Sequence, residues 1–176
     1  MELSERSFGN RYIVVALTSV LVFVCMGVLS LKLDREVVRA EKAQFDLRVA
    51  ELKAAVLLIE ANLVAKDRMI EAVEYIGSNP LSILDTKEMN YAGERNLAYI
   101  EDKERRELVG MWLYDTSQQE IVYLPRSTAF LVSLEIPEEK RPSLLASGLQ
   151  FRVVGLWSDV ERQKKIKGLR LETLYK

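Results

Sequence analysis

The sequence predicts an α+β protein: one membrane-spanning helix continuing into a long amphipathic helix, then a small, mostly antiparallel sheet of about five strands. Three observations carry this. Residues 12–31 hold no charged side chain and no proline. From residue 28 to 76 neither glycine nor proline occurs. Beyond residue 110 the apolar period shortens from the helical spacing to two.

The first element is the span. About 20 residues at 1.5 Å each cross about 30 Å, the thickness of a hydrocarbon core. Arg11 and Lys32 bracket the stretch, where long basic side chains reach the headgroups. A cleaved signal peptide fits less well, because the run is long for an h-region and no Ala-x-Ala site follows it. Residues 1–11 are then a short tail. The basic residues Arg6 and Arg11 stand before the span, and Lys32, Arg35, Arg39, Lys42 and Arg48 after it. Counted alone, they put the C-terminal side in the cytoplasm. Thr18 and Ser19 are expected to bond helix carbonyls.

The second element, residues 32–76, is the long helix. Val49, Val56, Leu63 and Ile70 recur every seven residues. Val38, Phe45, Leu52, Ile59 and Val73 form a second such series, interrupted by Lys66. Together they make an a/d seam in which Lys42 and Lys66 are the polar breaks. The first half is charged with a narrow seam, which suits pairing with another helix. Residues 54–65 are almost all apolar, which suits burial on a sheet. The reading is a stalk followed by a docked half, with Val38, Phe45, Val49, Leu52 and Val56 as partner-binding residues. The partner is a helix of another membrane protein or of a second copy; the alternative is one helix docked on its own domain throughout, with no partner. Gly77 and Pro80 end the helix.

Residues 77–176 form the soluble domain. Residues 82–93 read as a loop, and 98–107, dense in charge, as a solvated turn or short helix. Residues 111–114 and 121–124 flank a polar turn and read as a hairpin. Strands are expected at 129–136, with Phe130, Val132, Leu134 and Ile136 on one face, at 151–157, and from 169 to the end. Trp112 and Trp157 are read as sheet packing. Arg162, Lys164, Lys165 and Lys167 are read as a solvated turn before the last strand.

The chemistry is restricted by what is missing. The 176 residues include no histidine and one cysteine, Cys25, inside the apolar run. That excludes an intrachain disulfide, a Cys/His metal site, and Ser or Cys nucleophiles activated by His. No cofactor is expected. With 25 basic and 26 acidic residues the chain lacks the basic surplus that binds nucleic acid. Asp115, at the mouth of the hairpin, reads as a turn residue accepting backbone amides. Glu101, Asp102, Glu104 and Glu107 alternate with basic residues and read as a solvated face.

Two stretches carry a resemblance. Asn79-Pro80-Leu81-Ser82-Ile83-Leu84 is followed by Asn90-Tyr91-Ala92-Gly93-Glu94, and Gly110-Met111-Trp112-Leu113-Tyr114-Asp115 by Ile121-Val122-Tyr123. These resemble the "Asn-Pro … Asn-Tyr-x-Gly" stretch and the "Gly-x-Trp-x-Tyr-Asp … Leu-Val-Tyr" hairpin of the MshF-type biogenesis proteins of the mannose-sensitive haemagglutinin pilus, a type IV pilus. The architecture is similar to that of pilins and of type II secretion membrane proteins. The resemblance covers roughly residues 8–136, and it departs at Lys87, Glu88 and Met89, where prolines are expected. A pilin would also carry a glutamate after its prepilin-peptidase site, and none follows Gly9 in Asn10 to Val14. The resemblance implies a non-enzymatic assembly protein with a cytoplasmic tail, a periplasmic domain, and pilus or secretion proteins as partners. It singles out Asn79, Pro80, Asn90, Tyr91, Gly93, Gly110, Trp112, Tyr114, Asp115 and Tyr123. The alternative reading is the extracytoplasmic sensing or ligand-binding module of a signalling protein. Such a module is expected to have a larger cytoplasmic output domain.

Overall fold

The computed structural model describes residues 3–82, 84, 90–160 and 163–175, with side chains at 15–82, 84, 90–158 and 165–175. The chain divides into two compact units, Met1–Glu41 and Lys42–Lys176. One helix, α1 (Leu3–Ala65), runs through both. In the first unit it carries a stretch that, by length and composition, is long and apolar enough to cross a membrane. The large apolar side chains there are exposed, Phe23 at 74%. The hydroxyls of Thr18 and Ser19 each donate to the Val15 carbonyl at 2.9 Å, the helix-carbonyl bonds the sequence suggests.

In the second unit α1 ends at Ala65, earlier than glycine and proline alone would place it. Asp67 adopts φ +53°, Arg68 N donates to Leu63 O at 2.8 Å, and Asp67 N donates to Val64 O at 3.0 Å. This is a Schellman cap in which a short polar side chain takes the left-handed position usual for glycine. A 3₁₀ segment, Met69–Tyr75, follows, and Gly77, at φ +70°, closes it. The seam therefore stops with the α-helix: Ile70 is 83% exposed and Val73 is turned out as well.

Five strands form one sheet in sequential order. They are β1 (Tyr91–Arg95), β2 (Trp112–Asp115), β3 (Glu120–Tyr123), β4 (Leu149–Val160) and β5 (Gln163–Thr173). All pairs are antiparallel except β1 with β2. The expected hairpin is β2–β3, with Trp112 opposite Tyr123 and Tyr114 opposite Ile121. Strand β1 corrects the loop expected at 82–93. It lacks apolar alternation because it is an edge strand with its side chains half-buried or exposed. Positions 83 and 85–89, including Lys87, Glu88 and Met89, lie outside the described residues. Short helix α2 (Asp102–Glu107) agrees with the charged segment.

The strand expected at 129–136 is helix α3 (Thr128–Ser133). Ser127 Oγ accepts from Phe130 N at 3.2 Å and caps its start. Glu135, at φ +60°, ends it in a second Schellman arrangement, with Ile136 N donating to Leu131 O at 3.2 Å. Neighbours Phe130 and Leu131 are both fully buried while Val132 is 49% exposed, a helical pattern that period-two counting misreads. Helix α4 (Arg141–Ser147) leads into β4. Strand β5 already begins at Gln163, so Lys165 and Lys167 belong to the strand, while Arg162 lies outside the described residues.

The core lies between α1 and one face of the sheet. Phe45 is its centre, with ring centroids 5.5 Å from Trp112, 5.3 Å from Tyr123, 5.4 Å from Phe130 and 6.0 Å from Phe151. Leu52, Val56, Ile59 and Leu63 continue this contact along the helix. A smaller cluster of Leu108, Leu113, Val122 and Leu124 covers the opposite face of β2 and β3. The polar break Lys42 donates to Ser133 O at 2.7 Å, binding a carbonyl in the last turn of α3. Glu60 accepts from Leu169 N at 3.1 Å, on an edge strand where that amide has no neighbouring strand.

Candidate functional site

The partner-binding residues expected on α1 need correction. Phe45, Leu52 and Val56 are 3%, 0% and 2% exposed and sit in the chain's own core. Docking on the sheet starts at Phe45, well before the apolar half of the helix, because Trp112, Tyr123, Phe130 and Phe151 together build a socket for that ring. Val49 is half-buried against the same core. Val38 belongs to the other unit.

The residues of the two motif stretches come together at the start of the sheet. Asn79 is the hub. Its Nδ2 donates to Tyr91 OH and to Glu94 Oε1, both at 3.0 Å, while its Oδ1 accepts from Leu81 N at 3.1 Å. The last bond is an Asx turn, and Pro80 inside it is buried. The Asn90 carbonyl accepts from Trp112 N at 2.7 Å, tying β1 to β2. Tyr114 OH donates to Gly77 O at 2.5 Å. Burial raises the Tyr91 phenol above its ordinary pKa, with Asn79 opposing and Glu94 adding to the shift. Tyr114 is raised for the same first reason, with Glu94, Asp115 and Tyr91 adding to it. Gly93 and Gly110 have φ +84° and +81°, which other residues rarely adopt. A Cβ on Gly110 would also collide with the Arg126 side chain.

Asp115 is 4% exposed, and its Oδ1 accepts from Leu97 N at 3.3 Å, Ser117 N at 2.9 Å and Ser117 Oγ at 2.7 Å. It is the turn aspartate the sequence suggests, and it also ties the 96–108 segment to the hairpin. Glu120 is nearly buried and ion-paired with Arg152 at 2.5 Å, across strands β3 and β4.

Two features face outward. A groove of about 600 Å³ is lined by Val49, Ala50, Lys53, Ile136, Pro137 and Tyr175, among others. The Tyr175 phenol is pushed up to about 12 by burial and by Asp46. The second is Trp157, expected in the sheet but 51% exposed, beside Leu156 at 39%. A register shift between these two residues in the β4–β5 pairing changes the alternation there. Among the described residues no His, Cys, Asp or Glu cluster could hold a metal ion. Sequence reasoning missed Asn79 as a hub, Glu60 and Lys42 as backbone partners, and Tyr175. The Asn-Pro step was the one available signal, because asparagine before proline favours a turn.

No family model matches this sequence, and no curated protein or solved structure matches it either.

Proposed function

We propose that the chain is a non-enzymatic assembly component of an inner-membrane platform, serving a type IV pilus like the mannose-sensitive haemagglutinin pilus or a type II secretion system. It is anchored by one span, holds its sheet domain in the periplasm, and acts by binding neighbouring membrane proteins and pilins. The observation that carries this reading is the Asn79 hub. It joins the two segments of the first stretch quoted for the resemblance, through Tyr91 and Glu94, next to the strand of the second stretch that carries Trp112, Tyr114 and Asp115. Residues apart in sequence thus make one connected unit, as a shared binding domain requires. Exposed Trp157 suits such a role, since tryptophan is enriched among residues that dominate protein interfaces. The test is deletion in a piliated host. Surface pili are expected to disappear and to return with the intact gene, and a tagged chain should co-purify with platform proteins. Normal piliation and secretion without the chain would refute the reading.

One observation favours the sensing or ligand-binding alternative, namely the groove bordered by Val49, Ile136 and Tyr175. Its size is within the range of small-molecule sites, roughly 300–1,000 Å³. A ligand that raises the melting temperature of the wild type, and fails to do so with Ala50→Trp, would support this alternative.

A further inference from the structure

Phe45, Leu52, Val56, Ile59 and Leu63 turn one stripe of α1 onto the sheet. A second stripe lies on the other side. Leu47, Ala50, Ala54, Leu57, Ala61 and Val64 follow one another at alternating intervals of three and four. At about 100° per residue, Leu47 lies roughly 200° around the helix from Phe45. All six residues are exposed, with Leu47 at 56%, Leu57 at 67% and Val64 at 58%. The alternating interval is the a/d pattern of a two-helix seam. Its alanines let two helix axes approach closely.

We propose that a second copy of this chain docks on this stripe, helix against helix, parallel and in register. The proposal rests on the anchored reading above in one respect: two copies inserted through the same span point the same way. Self-pairing sets each apolar side chain against its twin, so no layer of the seam buries a charge. The flanking positions are Asp46 and Lys53 on one side, and Glu51 and Leu58 on the other. In a parallel pair Asp46 meets Glu51 of the second copy, and Lys53 meets Leu58. The like-charge meeting is offset because Arg48 already holds Glu51 at 2.6 Å in the same chain. The size of the stripe also selects the occupant. Six side chains, three of them alanine, cover less than the roughly 800 Å² per partner of a stable interface between free molecules. Confinement of both helices to one membrane raises their effective concentration and makes a short seam sufficient.

The test is cysteine cross-linking of the full chain in membrane vesicles. Cys25→Ala removes the native thiol, and single cysteines then replace each stripe residue, with Asn62→Cys as an exposed control off the stripe. Under mild oxidation the stripe positions are expected to give dimer at about tenfold the control yield, and Leu57→Lys should abolish the Leu47→Cys dimer. Uniform yields, no dimer, or a product whose mass is not twice the chain would overturn the proposal. Alkaline carbonate washing reads the anchor separately. A chain that washes off refutes the anchor and with it the confinement that makes the short seam sufficient, whereas an unphased pattern on a chain that stays overturns the pairing and keeps the anchor.

Discussion

Asp115 illustrates how a residue that resembles a catalytic group acts as a structural one. Its Oδ1 takes two backbone amides and a hydroxyl in a nearly closed setting. Asp115→Ala strands the amides of Leu97 and Ser117, at about 1–3 kcal/mol for each donor left unsatisfied. Urea denaturation should show that loss, and Asp115→Asn should recover part of it, because the amide oxygen still accepts. Tyr175 makes a pH prediction. Its folded pKa, about 12, lies above the ordinary 10.0, chiefly through burial. A raised pKa favours the protonated form in the fold, so the stabilisation is complete below pH 10. It is lost as pH rises from 10.0 toward about 12. Melting temperature against pH should fall over that window in the wild type and fall less in Tyr175→Phe. Asp115 was legible because a polar residue after two aromatics, at a hairpin mouth, has a local explanation. Tyr175 was not, since its surroundings come from α1, far away in sequence.

At the scale of elements, α1 and α3 show where a periodic signal stops being sufficient. The seam on α1 was read correctly as an apolar stripe, and its second half docks on the sheet as expected, but Phe45, Leu52 and Val56 were assigned to a partner helix, because period alone does not distinguish a partner helix from the chain's own sheet. The occupant depends on the aromatic socket of Trp112, Tyr123, Phe130 and Phe151, which forms only once the sheet is folded. Leu52, 0% exposed, and Leu57, 67% exposed, therefore make opposite predictions on the same helix. Leu52→Arg buries a charge without a partner and should destabilise the domain by several kcal/mol, on the order of what unpaired buried ions cost. Leu57→Arg should leave the fold intact. Thermal melts followed by circular dichroism, on the chain in detergent, compare the two directly. In α3 the apolar residues fit a strand by alternation, and the deciding signals were the capping serine, Ser127, and the left-handed Glu135. Neither is glycine, so the usual markers of a helix boundary were absent. The hairpin β2–β3 was legible because its turn chemistry and its cross-strand pairs are both local. The parallel edge strand β1 was not, because its partner β2 lies beyond α2.

For the molecule as a whole, orientation is where two physical arguments meet. The basic residues Lys32, Arg35, Arg39, Lys42 and Arg48 follow the apolar stretch, and a count of them alone would place that side in the cytoplasm. Some are engaged once folded: Arg39 pairs with Glu36, Arg48 with Glu51, and Lys42 with the Ser133 carbonyl. Those contacts carry no weight here, because a chain crosses the membrane before it folds. The rule itself has a limited reach. It counts short loops, up to about 60 residues, and longer domains translocate largely regardless of charge. Here the described segment after the apolar stretch continues to residue 175. Its fold depends on α1 from Lys42 onward, so that part of the helix and the sheet form one folded unit. The proposed function puts the domain in the periplasm, and its expected outcome can be stated for two reporters. Alkaline phosphatase fused after Lys176 should be active, and a fluorescent protein that folds only in the cytoplasm should stay dark at the same position. Lys32→Gln with Arg35→Gln should change neither signal. An inactive phosphatase with a bright reporter would place the domain in the cytoplasm, and the basic residues would then have set the topology.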